Sequence, residues 1–249
     1  MLPKIGITTH IIRKAKWYKY LQALGFKTIE INRQNSKLYF NLYFLEKVKR
    51  YIDSYDLSIH SGTKGIFQPN KHFTEANIAV VTAEIDACAM LGAKQLVFHL
   101  NDGTLSGEEK RRLEELVTYA KGLDIRMMYE SNSTMVARDV YDILGSFTDI
   151  GYVLDLGHLN NGVGTGRLGC EIDEFIGNIQ NRVEYIHASN NCGTRDEHET
   201  LANGTLNWRH VLDMLDLSRV KKIIIEVRNL DMVESTFDDL THYLGHGTK

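Results

Sequence analysis

The chain has 249 residues, 43% of them hydrophobic and 24% charged, a composition that excludes a disordered polymer and falls within the size a single α/β barrel reaches. A formal net charge of −3 gives no whole-molecule attraction to polyanions, so charge does not point to a nucleic-acid partner. No apolar run approaches a membrane span and the N-terminus lacks the basic, apolar and small-residue order of a secretory leader, which predicts a soluble cytoplasmic protein with no membrane partner.

From the N-terminus onward one rhythm repeats: a short β-branched run that ends in a polar residue, a loop, then apolar residues at helical spacing. Strands are expected at 5–8, 28–32, 57–60, 95–99, 125–130, 152–155, 185–187 and 223–226. Between the first two, Trp17, Tyr18 and Tyr20 mix with Lys14, Lys16 and Lys19, read as an amphipathic outer helix whose lysine stems lie along apolar surface. Ile78, Val81, Ile85, Cys88 and Leu91 form one apolar helical stripe, so Cys88 is read as core. Ser106 and Glu109 have the spacing of a capping box at the start of the next helix. Later helical stripes carry Val136, Val140, Ile143 and Leu144, then Trp208, Val211, Leu212 and Leu215, then Val233, Phe237, Leu240 and Leu244. The run Gly164 to Gly169, GTGRLG, matches the glycine pattern of dinucleotide sites but follows the sixth strand instead of opening the first βα unit, so it is read as a loop on the catalytic face. The three cysteines, Cys88, Cys170 and Cys192, are widely spaced and fit reduced thiols.

Only two prolines and no Ser- or Pro-rich linker interrupt the series, so residues 1–249 are expected to form one (β/α)8 barrel, a TIM barrel, with its site at the strand C-termini. An open doubly wound sheet is disfavoured because the polar strand ends are spread over at least six units, whereas an open sheet gathers its site at one switch point. Those ends carry His60 in SIHSG, His99 in VFHLND, Glu130 in MYESN, Asp155 and His158 in DLGH, His187 in YIHASN and Glu226 in IIEVRN, and the loop after His187 adds Asp196 and His198. One strand-end histidine has a bland explanation in a backbone hydrogen bond; many carboxylates and imidazoles on one rim are costly to gather without cations. Nitrogen and oxygen donors without thiolate suit zinc first and manganese second. Glu30, at the end of the second strand, is a candidate substrate contact or a solvated strand end, and Arg195 and Arg228 are candidate anion contacts.

These motifs, taken in order with GFKTIEIN at the second strand and MLGAKQLVFH at the fourth, resemble the xylose isomerase-like barrel superfamily that contains endonuclease IV and many sugar epimerases and isomerases. Likeness to endonuclease IV implies three zinc ions held by His60, His99, Glu130, Asp155, His158, His187, Asp196, His198 and Glu226. Likeness to the ketose epimerases implies one ion on Glu130, Asp155, His187 and Glu226, with Glu130 and Glu226 also moving the substrate proton. The sequence departs from endonuclease IV where that enzyme carries duplex-wedging residues after the first ligand: Ser61, Gly62, Thr63 and Lys64 stand here, and His99-Leu100-Asn101 replaces a His-Pro-Gly. The expectation is therefore an isomerase or epimerase of a small sugar or sugar phosphate using one to three divalent ions, with phosphoester hydrolysis as the alternative. A binding barrel without turnover is disfavoured, since a structural site needs only about four ligands.

Overall fold

The computed structural model describes residues 2–14, 16–32 and 41–246. Its strands are β1 (Lys4–Thr8), β2 (Thr28–Asn32), β3 (Asp56–His60), β4 (Gln95–His99), β5 (Arg126–Glu130), β6 (Gly151–Asp155), β7 (Val183–Ala188) and β8 (Lys222–Ile225). Each pairs in parallel with the next and β8 closes on β1, through Lys4 opposite Lys222 and Ile7 opposite Ile225, so the (β/α)8 barrel expected from the sequence is the fold. The strand positions agree to within two residues, and Glu226 lies one residue past β8.

The helices are α1 (Leu21–Leu24), α2 (Leu42–Ile52), α3 (Lys71–Leu91), α4 (Gly107–Gly122), α5 (Ala137–Ser146), α6 (Leu156–Gly164), α7 (Ile172–Ile179), α8 (Trp208–Asp213) and α9 (Val233–His246). Val81, Ile85, Cys88 and Leu91 are buried on α3 as the stripe requires, and Ser106 and Glu109 exchange both bonds of the capping box on α4. The aromatic-basic stretch forms a 3-10 turn at Trp17–Lys19 ahead of the short α1, not one long helix. Trp17 and Tyr18 are buried there, and the Lys14 ammonium sits 4.1 Å from the Tyr20 ring centroid. Among the described residues no helix is long and apolar enough to cross a membrane.

Strand side chains alternate between the barrel interior and the helices. Val97, Met128, Val153, Tyr185 and Ile224 point inward and pack as a separate apolar cluster inside the barrel. Two residues further along the same strands stand His99, Glu130, Asp155, His187 and Glu226. The apolar layer is thus a floor for the polar one, and both follow from the two-residue period. Pairing keeps the upper layer level in places: His99 is opposite Glu130, and Asp155 opposite His187.

Helix α6 stands where the DLGH motif predicts only a strand end and a turn. Asp155 starts it: its Oδ1 accepts from the His158 backbone N–H at 2.7 Å, which satisfies one of the orphan donors of the first turn. Gly164, the last residue of α6, lies so close to the loop after β7 that a Cβ there would stand 2.2 Å from the Gly193 carbonyl oxygen. The glycine of the GTGRLG run therefore serves chain packing, in keeping with the rejection of a dinucleotide fingerprint. Gly164→Ala is expected to cost about 1–3 kcal/mol through that overlap with backbone; unfolding in denaturant measures it, and an unchanged midpoint would show that the two segments yield freely.

Candidate metal centre

Four histidines share one arrangement. Each donates Nδ1–H to a backbone carbonyl: His60 to Ser61 at 3.0 Å, His99 to Glu130 at 3.1 Å, His158 to Ser131 at 2.8 Å and His198 to Glu226 at 2.8 Å. With one proton committed to Nδ1, it is Nε2 that faces the site, and in the neutral ring Nε2 carries the lone pair. His60 Nε2 lies 3.0 Å and His99 Nε2 3.5 Å from Glu130 Oε2. His158 Nε2 and His198 Nε2 each lie 3.4 Å from Asp196 Oδ2.

His187 is turned the other way. Its Nε2 is 3.0 Å from Glu30 Oε2, while Nδ1 faces Glu226 Oε2 at 3.0 Å, Glu130 Oε1 at 3.3 Å and Asp155 Oδ2 at 3.7 Å. The nine residues expected as ligands therefore fall into three adjoining groups: His60, His99 and Glu130 Oε2; Glu130 Oε1, Asp155, His187 and Glu226; and His158, Asp196 and His198. Glu130 belongs to two of them, and its Oε1 also lies 3.4 Å from His158 Nδ1 of the third.

The donor set suits a divalent cation on two counts. Asp155 Oδ2 and His187 Nδ1 are buried without a hydrogen-bond partner, a state that costs about 1–3 kcal/mol per group when nothing compensates it. Ligand atoms about 2.1 Å from a tetrahedral ion stand about 3.4 Å apart, and the separations around His187 Nδ1 bracket that spacing. Among the described residues, both His60 with His99 and Glu130, and Glu130 with Asp155 and His187, bring their donor atoms within 4.8 Å of one another.

The electrostatics show what balances the carboxylates when no metal does. Burial alone would pull the His60 pKa down, but the hydrogen bond and charge of Glu130, with Glu30 and Glu226 beyond, outweigh it and raise His60 to about 9. Burial is likewise outweighed at His158, by Asp155, Asp196 and Glu130, and at His198, by Asp196 and Glu226, and both rise to about 10. His99 shows the opposite result: burial, helped by the neighbouring imidazoles, prevails over Glu130 and lowers it to about 4. Against its own burial, Glu226 is held at about 2 by His187 and His198, and Glu130 well below the carboxylate range by His187, His99 and His60. Protons on imidazole thus stand where cations would, and ion binding must expel them.

Glu30 is not placed to meet substrate. It is 0% exposed, beneath His187, and its Oε2 also accepts from the Tyr185 hydroxyl at 2.8 Å. Arg228 is exposed but engaged: its Nε donates to the Glu197 carbonyl at 3.2 Å and its NH2 pairs with Glu199, so the guanidinium holds the loop that carries Asp196 and His198. Arg195 is exposed on that same loop.

Two sets of supporting residues escape a reading of the sequence. Asn160 donates to the Asn191 carbonyl and Asn191 donates to the Gly157 carbonyl, both at 2.8 Å, while Asn190 donates to the Leu201 carbonyl at 3.0 Å. These buried amides tie α6 to the loop after β7; the pairs in HLNNG and SNNCG are their only signal. Glu84 of α3 is 1% exposed and accepts from Ser61 Oγ at 2.7 Å and from Gly62 N–H at 2.9 Å, which fixes the chain directly after His60.

Fold and site together define a parallel eight-stranded barrel with a carboxylate and imidazole cluster across its C-terminal mouth. The chain belongs to the xylose isomerase-like TIM barrel family, whose pattern matches residues 18–239. Comparison with curated proteins gives no match. Among solved structures, a D-tagatose 3-epimerase-like protein is 18% identical with a TM-score of 0.81, covering 97% of each chain. The TTHB071 protein from Thermus thermophilus, soaked with ZnCl2, is 20% identical with a TM-score of 0.76, over 99% of this chain and 100% of that one. The 3-keto-D-glucoside 4-epimerase YcjR from E. coli, in its apo form, is 15% identical with a TM-score of 0.70, over 98% and 99%.

The raised imidazole pKa values fix the sign of a pH effect. His60, His158 and His198 lie above the ordinary 6.5 in the folded chain, so the stability they contribute is complete below that pH and is lost as pH rises through about 9 to 10. Chelator-treated protein is expected to lose Tm across that window, more steeply than the same protein given zinc, as a pH series of thermal melts would show.

Proposed function

We propose that the chain is a divalent-metal-dependent isomerase or epimerase of a small sugar or sugar phosphate, with zinc as the first choice of ion and manganese the second. The observation that carries this reading is the convergence of Glu130 Oε1, Asp155 Oδ2 and Glu226 Oε2 on His187 Nδ1, all four residues being at most 7% exposed. The epimerases among similar barrels support the substrate class. An ion held by those four residues supplies a Lewis acid that makes a C–H beside a substrate carbonyl acidic.

The remaining chemistry belongs to two side chains. Glu130 and Glu226 come from the ends of β5 and β8, and both are ionised at neutral pH, so each is a base. One takes the proton from carbon as the C–H electron pair moves toward the carbonyl oxygen and gives an enediolate. The other, recharged from solvent, returns a proton to the opposite face or to the adjacent carbon. Asp155 is not assigned to that transfer, because its Oδ1 accepts from the start of α6 and its Oδ2 is one of the oxygens that would hold the ion.

A second reading, phosphoester hydrolysis of the endonuclease IV type, is favoured by a specific observation: His158 and His198 both address Asp196, and His60 and His99 both address Glu130. The epimerase reading has no use for His60, His99, His158, Asp196 and His198 as ligands, whereas three ions can generate a hydroxide, neutralise a phosphate and stabilise a leaving oxygen.

Two experiments separate the readings. Metal-loaded protein in deuterated water, offered a panel of ketoses, aldoses and their phosphates, is expected to place solvent deuterium at one carbon, with Glu130→Gln and Glu226→Gln each lowering turnover by about 10²–10⁴-fold; wild-type turnover in either variant would sink the assignment. Ion counting by elemental analysis is expected to give one ion per chain in protein active on sugar, and three ions with incision of an abasic-site duplex above a chelated control would reverse the choice.

A further inference from the structure

We infer that Glu30 is a positioning residue for the central site: by accepting the Nε2–H of His187 it holds the imidazole in the tautomer and orientation that present Nδ1 to Glu130, Asp155 and Glu226. The inference rests on the proposed metal centre but not on sugar chemistry. Glu30, Tyr185, Ser58 and His187 are all fully buried, so water does not complete their hydrogen bonds. Ser58 Oγ and Tyr185 Oη are 2.7 Å apart, Tyr185 Oη and Glu30 Oε2 2.8 Å, and Glu30 Oε2 and His187 Nε2 3.0 Å.

Donors and acceptors along this chain have one consistent assignment. A carboxylate only accepts, so the single phenolic proton of Tyr185 goes to Glu30, and Ser58 must then donate to the Tyr185 oxygen. The second contact of Glu30 Oε2 is filled by N–H from His187 Nε2. In a neutral imidazole that leaves Nδ1 with the lone pair, on the side where three carboxylate oxygens converge. The other four histidines need no such partner, because backbone carbonyls fix them through Nδ1 and they address the site through Nε2. Of the five, His187 alone is inverted, and it alone has its far nitrogen held by a carboxylate in place of a backbone carbonyl; at His158 the Glu130 Oε1 lies 3.4 Å from Nδ1, but the Ser131 carbonyl at 2.8 Å takes the proton.

Glu30 and His60 with His187 also bring donor atoms within 4.8 Å of one another, which raises the alternative that Glu30 is a ligand itself. His187 cannot serve both sides as a neutral ring: an ion on Nε2 requires removal of the proton that Glu30 accepts, and His60 Nε2 is already directed at Glu130 Oε2. A carboxylate accepting from the far nitrogen of a metal-bound imidazole makes the ring a better donor, and loss of such a partner typically weakens metal binding about 10- to 100-fold.

Zinc titration against a chromophoric chelator, with Co(II) absorption as the second signal, tests the inference on the full chain. Glu30→Gln keeps the shape and an acceptor oxygen but removes the charge; it is expected to bind the first ion about 10- to 100-fold more weakly and to change the Co(II) spectrum. A folded Glu30→Gln protein with wild-type affinity and spectrum overturns the role of Glu30 while leaving the metal centre standing. Nitrogen-15 NMR of histidine-labelled, zinc-loaded wild type needs no variant: His187 is expected to carry its proton on Nε2 and the ion on Nδ1, and the reverse tautomer overturns the inference. If wild type binds neither zinc nor cobalt, the metal centre and this inference fall together.

Discussion

Closure of the barrel sets the central constraint, because it forces like charges together in a buried volume. Glu130, Asp155 and Glu226 arrive from β5, β6 and the end of β8, far apart along the chain, and all face one imidazole nitrogen. The period of two that puts Met128, Val153 and Ile224 in the barrel floor puts the carboxylates above them, on the same inward side. Positive charge must follow. In the chain by itself it comes as protons on His60, His158, His187 and His198; a divalent ion brings it without the hydrogen-bond demands of an imidazolium.

Histidines that act this way need their far nitrogen fixed, and the fold does it with backbone wherever backbone is within reach. Ser131 and Glu130 offer carbonyls at the end of β5 and beyond it, and Glu226 offers one just past β8, because parallel strands stop pairing at the rim and leave carbonyls free. His187 sits lower, with its ring packed 5.5 Å from the Tyr185 ring, and meets side chains in place of a strand end. The loop that carries Asp196 and His198 is tied by backbone to the chain past β7 and β8, through the Asn190–Glu199 bridge and the Arg228 N–H bond to the His198 carbonyl. Its position depends on Asn160, Asn190 and Asn191, on the contact between Gly164 and Gly193, and on Arg228 at its outer edge.

The strands were legible because each is a β-branched run closed by a polar residue, and the convergence of the candidate residues was legible because a strand's last inward residue faces the C-terminal mouth of such a barrel. Glu30 shows where that reasoning ends. It resembles Glu130 as a glutamate near the end of its strand, yet Glu30 pairs with Ser58, and Asn32 pairs with His60, so Glu30 is one inward step below the rim. The stagger between neighbouring strands decides this, and a single strand's residues do not encode it. The same holds for Tyr185 and Ser58, which the strand pattern does not single out and which the register brings to Glu30. Helix α6 was hidden for another reason: Asp155 ends a strand, caps a helix and faces the site at once, and an aspartate at a strand end reads as a ligand as readily as it reads as an N-cap.

Glu130 links the number of ions to the chemistry they permit. Its two oxygens point into different groups, Oε2 toward His60 and His99 and Oε1 toward His187. A carboxylate can accept a substrate proton only on an oxygen that retains an available lone pair in the right direction. With the central group alone loaded, Oε2 keeps that capacity and Glu130 can be a base. An ion also held by His60 and His99 would draw on Oε2, and in the proposed reading proton transfer would then be left to Glu226. In the proposed reading, two-face proton exchange and a fully loaded rim would therefore compete for one oxygen of Glu130, the one that lies 3.0 Å from His60 Nε2 and 3.5 Å from His99 Nε2.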